Sequence, residues 1–274
     1  MTQWTKRPAH WEDGNNHYFS IVFSWDLWAF CRDVQPELDG KRIVVGGPAV
    51  ILNPEWVPKW VSVGTGADAL CQHNPQATRT TVGCVRRCAF CAVPRIEPEF
   101  KELDGWDPKP IVVDNNFLAS SKKHFDVAID KLKKLDSVDF NQGLDARLLT
   151  KHHADRLAEC NIHARLAFDH TGTEREYLHA VELLVGAGIP KRNMSTYVLI
   201  GFNDNPEDAL YRLELVRSLG VSPNPMRYQP LNVKKRNAYI APHWTNAELT
   251  RYMRYWSNLR YLNPVPFAEF GVGA

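Results

Sequence analysis

The chain has 274 residues, of which 44% are hydrophobic and 23% charged, and its formal net charge is +2 at pH 7. This length suits one large domain or a domain with an appendage, and so small a charge gives no electrostatic case for nucleic-acid binding. No apolar run approaches the ~18 residues of a membrane span, and the opening "MTQWTKRPAHWEDGNNHY" lacks the apolar core of a signal peptide; a cytoplasmic monomer without membrane association is expected.

Residues 1–77 read as an appendage. "HYFSIVFSW", a helix over "DLWAFCRDVQPELDG", and "KRIVVGGPAV" make a β-α-β fragment, with "WVSVGTGADAL" as a further strand and turn. The pattern is Rossmann-like, a piece of a doubly wound sheet. Trp25, Trp28, Trp56 and Trp60 suggest that this piece packs on a larger body. Gly46-Gly47-Pro48 reads as a tight turn, because the G-x-G-x-x-G spacing of a phosphate loop is absent.

Residues 78–274 alternate strands and helices. Strands are predicted over 78–83, 110–115, 137–143, 163–169, 195–201 and 226–232, short and rich in Val, Ile, Thr, Tyr or Phe. Between them, "SSKKHFDVAIDKLKKLD" places Phe125, Ile129 and Leu132 on one helical face. Further helices start at Thr150, at Thr173, at Asn205 with Pro206 in the first turn, and at Thr245 with Glu248 completing a capping box. Strand–helix repetition calls for right-handed crossovers and a parallel sheet. The expected fold is α/β: a partial (β/α)6 barrel with its chemistry at the carboxyl ends of the strands, preceded by the small β-α-β appendage.

Six cysteines are unevenly spread. Cys31, Cys71 and Cys160 are isolated and read as small core residues. Cys84, Cys88 and Cys91 form C-x3-C-x2-C directly after the first barrel strand. A structural zinc site takes four ligands; His73 is a candidate fourth, but the paired cysteines of a zinc ribbon are missing. A [4Fe–4S] cluster held by three thiolates leaves one iron open for a ligand, which gives the odd number a use.

This motif, in the loop after the first strand of a partial barrel and with Phe90 before its last cysteine, resembles the radical S-adenosylmethionine superfamily over roughly residues 78–232. The resemblance implies a [4Fe–4S] cluster on Cys84, Cys88 and Cys91. It also implies S-adenosylmethionine on the open iron, and a 5′-deoxyadenosyl radical that takes hydrogen from a substrate. An electron donor such as flavodoxin or ferredoxin is implied as a partner. Arg86 and Arg87 would tune the cluster or face solvent. Where the family carries a Gly-Gly-Glu patch for the methionine ammonium, this chain has Asp114-Asn115-Asn116-Phe117, which puts Asp114, with Asn115 beside it, in that role. The competing reading is a strand-end turn.

The resemblance assigns further residues to the cofactor. Asn141 and Gln142 would bind ribose or substrate, and Arg147 or Arg165 the methionine carboxylate. Asp145–Arg147 is also readable as a plain ion pair. Asp169 would take ribose hydroxyls, with His170 next to it toward substrate. "YVLIGFNDNPED" resembles the fifth-strand segment whose backbone, here Ile200 and Gly201, passes adenine. Asp145, His170, Arg227, Tyr228 and Gln229 are candidate substrate contacts. The stretch 226–244 and the helix carrying Arg251, Tyr252, Arg254, Tyr255, Trp256 and Arg260 interleave basic and aromatic residues. That pattern suits nucleic acid, but a solvated charged face with inward aromatics is the simpler reading. The substrate classes considered are a nucleic-acid base or a small metabolite. The chain lacks cysteines after Cys160, so the C-terminal auxiliary cluster of many peptide-modifying relatives is not expected, and it lacks the D-x-H-x-x-G of cobalamin binding. Cobalamin-dependent methylation and a non-catalytic, metal-bearing nucleic-acid-binding module remain as alternatives.

Overall fold

The computed structural model describes residues 4–5, 8–35, 37–64, 66, 69–257 and 265–271. The chain forms two compact units. The first comprises Met1–Thr78, Gly83–Lys101 and Gln229–Tyr239; the second comprises Arg79–Val82, Glu102–Tyr228 and Ile240–Ala274. The division expected near residue 78 therefore meets a first unit that also takes up two later segments. No helix among the described residues is long and apolar enough to cross a membrane.

In the first unit, β1 (Ala9–Asp13) and β2 (Asn16–Ser20) form an antiparallel hairpin turned by Gly14 at φ 54°. α1 (Ser24–Asp33) leads to β3 (Glu37–Leu38) and β4 (Lys41–Gly46), joined through Asp39 and Gly40 at φ 51° and 71°. Positive φ at two successive turn residues suits the twist of a tight hairpin. The expected helix runs too far: α1 stops at Asp33, consistent with the bias of a residue before proline away from helix. α2 (Pro48–Leu52) crosses to β5 (Ser62–Val63), and β2, β4 and β5 are parallel. α3 (Ala69–His73) and β6 (Ala77–Thr78) complete the first stretch.

Ile21, Leu27, Ile43, Val45, Ala49, Val50 and Val61 form the core of this unit, with Phe19, Phe30, Cys31 and Trp56 packed against it. The 229–239 segment is tied in by side chains of that core region. Buried Asn53 donates through Nδ2 to the Leu231 carbonyl at 2.9 Å, and Ser24 Oγ donates to the Val233 carbonyl at 2.7 Å. Lys234 Nζ lies 3.8 Å from the Trp28 ring centre. α4 (Val93–Ile96) follows the cysteine triplet.

The second unit opens with the short strands β7 (Thr81–Val82) and β8 (Lys101–Glu102), the latter beginning on the last residue of the first unit. The strand expected over 78–83 is thus realised as β6 and β7, interrupted at Arg79-Thr80. Parallel strands follow in spatial order: β9 (Ile111–Val112), β10 (Val138–Phe140), β11 (Ile162–Ala167), β12 (Met194–Ile200) and β13 (Ser222–Arg227). Between them run α5 (Lys122–Leu132), α6 (Lys151–Leu157), α7 (Glu174–Gly186) and α8 (Pro206–Ser218), and α9 (Asn246–Trp256) comes last. The molecule is therefore of α/β class.

The last strand lies earlier than expected, at 222–227 instead of 226–232. Pro223 and Pro225 argue against a central strand, but in this sheet β13 is terminal, where a missing N–H is tolerated. The helix starts agree with their capping residues. Ser121, Thr150, Asn205 and Thr245 each accept the backbone N–H three residues on. Thr173 makes no such bond, and α7 follows a short 3-10 turn.

Candidate functional site

The cysteine loop is closed at its base by Gly83. This residue has φ +75°, and a Cβ on it would stand 2.1 Å from the Glu99 carbonyl oxygen. Its N–H donates to Glu97 Oε2 at 2.7 Å. The two ends of the loop thus meet at a point only glycine can occupy. Between them the backbone is irregular. Cys91 N–H donates to the Cys88 carbonyl at 3.0 Å and turns the chain.

Cys84, Cys88 and Cys91 are half-buried and in no disulfide. The Arg86 N–H points at Cys84 Sγ, at 3.3 Å, and the Val93 N–H at Cys91 Sγ, at 3.5 Å. Hydrogen bonds to its sulfurs tune a bound cluster. Phe90 and Arg86 are half-buried, while Val85 and Arg87 are exposed. Among the described residues no three His, Cys, Asp or Glu groups gather as a metal-holding set. Each thiolate of a cubane binds a different iron, so its ligands surround no single ion. His73 is engaged elsewhere: Nδ1 is 3.1 Å from Thr5 Oγ1 and Nε2 is 2.9 Å from Ser20 Oγ. The donor chemistry of the loop fits a thiolate-bound cluster better than a four-ligand zinc cage.

The parallel sheet of the second unit has two unlike faces. Val138, Phe140, Ile162, Ala164, Leu166, Met194, Val198 and Ile200 are buried on one. The alternate positions are largely polar: Asp139, His163, Arg165, Ser195, Tyr197, Ser222 and Asn224. A parallel sheet covered on both faces by helices would be apolar throughout. The polar face is cross-linked. Arg165 holds Asp139 through Nε and Nη2, both at 2.8 Å, and its guanidinium lies 5.9 Å from the Tyr197 ring centre. Tyr197 OH donates to the Asn141 carbonyl at 2.8 Å, and His163 Nε2 is 2.9 Å from Ser195 Oγ. Burial, and then the nearby Arg165 charge, lower the His163 pKa.

At the carboxyl ends of the strands, Asp114 is 3% exposed and accepts from Thr80 through both its backbone N–H, at 2.6 Å, and its hydroxyl. Burial pushes its pKa up while the Thr80 bonds oppose that shift. Its carboxylate is thus already engaged as a brace. Asn115 is half-buried beside it, and buried Asn116 donates to Asp145 Oδ2 at 3.3 Å. Asp145 pairs with Arg147 through Nε at 2.7 Å and Nη2 at 3.1 Å, the plain ion pair foreseen as the alternative. Asp169 is half-buried, its pKa raised by burial, and His170 is exposed. Gln142 is exposed.

Neither family models nor curated proteins match this sequence. Among solved structures, Streptococcus suis SuiB bound to S-adenosylmethionine aligns at 11% identity and a TM-score of 0.42, over 68% of this chain and 44% of its own. The chain therefore spans less than half the length of that protein.

Sequence reading missed the residue that organises these strand ends. Arg212, on α8 and 1% exposed, donates through Nη1 to the carbonyls of Phe168 at 3.2 Å, Asp169 at 3.1 Å and Leu199 at 2.7 Å, and through Nη2 to Asp204 at 2.6 Å. The one available signal is an arginine on a helix stripe with Ala209, Leu213 and Val216. Asp204 also accepts from the Gly201 N–H at 2.9 Å and so closes the turn after β12. Ile200 is buried, and its carbonyl accepts from the Tyr228 N–H at 2.9 Å. Arg227 is 3.2 Å from Asn246 Oδ1, and Gln229, in the first unit, bonds Asn237.

The basic and aromatic residues of the C-terminal stretch are largely used internally. Arg251 donates to the carbonyls of Phe267, Ala268 and Phe270, Tyr252 OH donates to Pro206, and Trp256 is buried. Arg260 lies outside the described residues.

Proposed function

We propose that this chain is a radical S-adenosylmethionine enzyme built on a partial (β/α)6 barrel. The observation that carries the reading is the glycine-closed loop with three unbridged, half-buried cysteines and amides directed at two of the sulfurs. Cys84, Cys88 and Cys91 would hold a [4Fe–4S] cluster, which when bound with S-adenosylmethionine supplies the reductive C–S cleavage that yields a 5′-deoxyadenosyl radical. Phe90 would shield the cofactor beside the last thiolate, and Asn115 would accept from the methionine ammonium next to the engaged Asp114. Arg147 and Arg165 both hold carboxylates already, so a ligand carboxylate would be taken by exchange of partner, with the bidentate geometry kept. Asn141, Gln142 and Asp169 would bind ribose hydroxyls, and the Ile200–Gly201 backbone would line adenine. The polar sheet face would orient the substrate, with Asp145, His170, Arg227 and Tyr228 at its approaches, and Gln229 is kept as a candidate substrate contact. A flavodoxin- or ferredoxin-like donor in the cytoplasm would supply the electron.

Anaerobic reconstitution tests this. The protein should turn brown, take up about four irons, and release 5′-deoxyadenosine from S-adenosylmethionine on dithionite reduction. A colourless protein that carries zinc would end the proposal. Cobalamin uptake with S-adenosylhomocysteine as product would redirect it to the methyltransferase branch.

A further inference from the structure

The guanidinium of Arg212 joins two strand ends that no backbone hydrogen bond of its own helix requires it to join. It bonds carbonyls that follow β11, at Phe168 and Asp169, and the Leu199 carbonyl near the end of β12. Its remaining partner, Asp204, closes the turn that follows β12. Asp204 Oδ1 accepts from Gly201 N–H at 2.9 Å and Phe202 N–H at 3.2 Å, and from Trp244 Nε1 at 3.0 Å. Trp244 is 5% exposed and reaches the Asp204 carbonyl as well, at 3.1 Å. The turn is closed from α9 too: Gly201 has φ +74°, and a Cβ there would lie 2.9 Å from Leu249 Cδ2.

An apolar side chain would pack α8 on the sheet without burying a charge. What arginine adds is a rigid fork that fixes several oxygens at once. Those oxygens lie in or beside the positions to which the adenosine half of S-adenosylmethionine is assigned above, Asp169 and Ile200–Gly201. A turn held from three sides is pre-organised for a ligand instead of ordered by it.

We infer that Arg212, Asp204 and Trp244 form one positioning unit that shapes the adenosine subsite. They act through the Gly201–Phe202 backbone and the end of β11 without touching the ligand. The inference rests on the S-adenosylmethionine reading of this unit.

The test uses the full-length reconstituted protein, with Asp204→Asn and Trp244→Phe variants. Equilibrium dialysis would measure S-adenosylmethionine and 5′-methylthioadenosine, a probe that lacks the amino-acid half. Asp204→Asn should weaken both ligands roughly tenfold, as loss of an orienting outer contact does. Trp244→Phe should weaken both about threefold, the effect of one hydrogen bond. Iron content should stay at the wild-type value in Trp244→Phe, and amide exchange at Gly201 and Phe202 should quicken. Variants that bind both ligands as wild type does overturn the inference. If Asp204→Asn fails to fold, Trp244→Phe decides alone. A wild-type protein that binds neither ligand sinks the functional reading itself, an outcome distinct from unaffected variants.

Discussion

Gly83 shows how one residue can decide a site. Its positive φ and the Glu99 carbonyl 2.1 Å from where a Cβ would be leave no room for any side chain. Gly83→Ala should cost more than about 1 kcal/mol, since the native conformation excludes the new residue. The cost should fall on the loop: iron uptake drops while the far-UV spectrum stays near that of wild type. The cysteines themselves give a sharper contrast. Alanine at Cys84, Cys88 or Cys91 should abolish iron incorporation. Cys31 packs against the core of the first unit and its thiol is pushed up to about 11 by burial. Cys31→Ala should keep full iron content, so an equal loss there would refute the ligand assignment. The cysteine spacing was legible because it is local. Gly83 was not, because its constraint comes from Glu99, sixteen positions on and invisible to local pattern.

The elements were legible where capping and periodicity are local. In α9, Thr245 Oγ1 accepts from Glu248 N–H at 3.1 Å, and Glu248 Oε2 accepts from Thr245 N–H at 2.7 Å. Thr245→Ala should destabilise the second unit by about 1 kcal/mol in urea unfolding, and an unchanged midpoint would contradict the capping box. The β1–β2 hairpin escaped notice even though Asp13-Gly14-Asn15 is a turn signal. Trp11, Glu12 and Asp13 lack the apolar alternation that would mark a strand, because β1 is an edge with largely solvated side chains. β13 was displaced for the complementary reason: its prolines are admissible only once the strand is known to be terminal.

At the scale of the molecule, neither unit is a contiguous stretch of sequence. The first holds residues from both sides of the parallel sheet's chain segment, through Asn53, Ser24 and Trp28, which meet Leu231, Val233 and Lys234. Such long-range partners are chosen by packing and leave no periodic trace. Acid sensitivity also belongs to this scale. His10, His73, His153 and His163 all have lowered pKa values, with burial the largest cause in each. The folded state thus prefers them neutral, and the unfolded chain binds more protons as pH falls below about 6.5. Stability present above that pH should be lost as pH drops through the lower folded-state values. Asp114 and Asp169, raised by burial, act in the opposite sense. Urea midpoints at about pH 7.5 and about pH 5.5 check this: the acidic midpoint should be lower, and equality would show that burial of these histidines has no net effect.

The amino-acid order by itself determined what depends on neighbours within a turn or two: the C-x3-C-x2-C loop, the capped helices, and the strand–helix alternation of an α/β fold. Tertiary structure alone decided which of the polar candidates are already committed. Asp114 to Thr80 and Arg165 to Asp139 are bonds between distant segments, and Arg212, no candidate in the sequence, reaches the Phe168 and Asp169 carbonyls more than forty positions away. Their selection follows from the need of each buried polar group for a partner, and the folded chain, not the local sequence, brings that partner within reach.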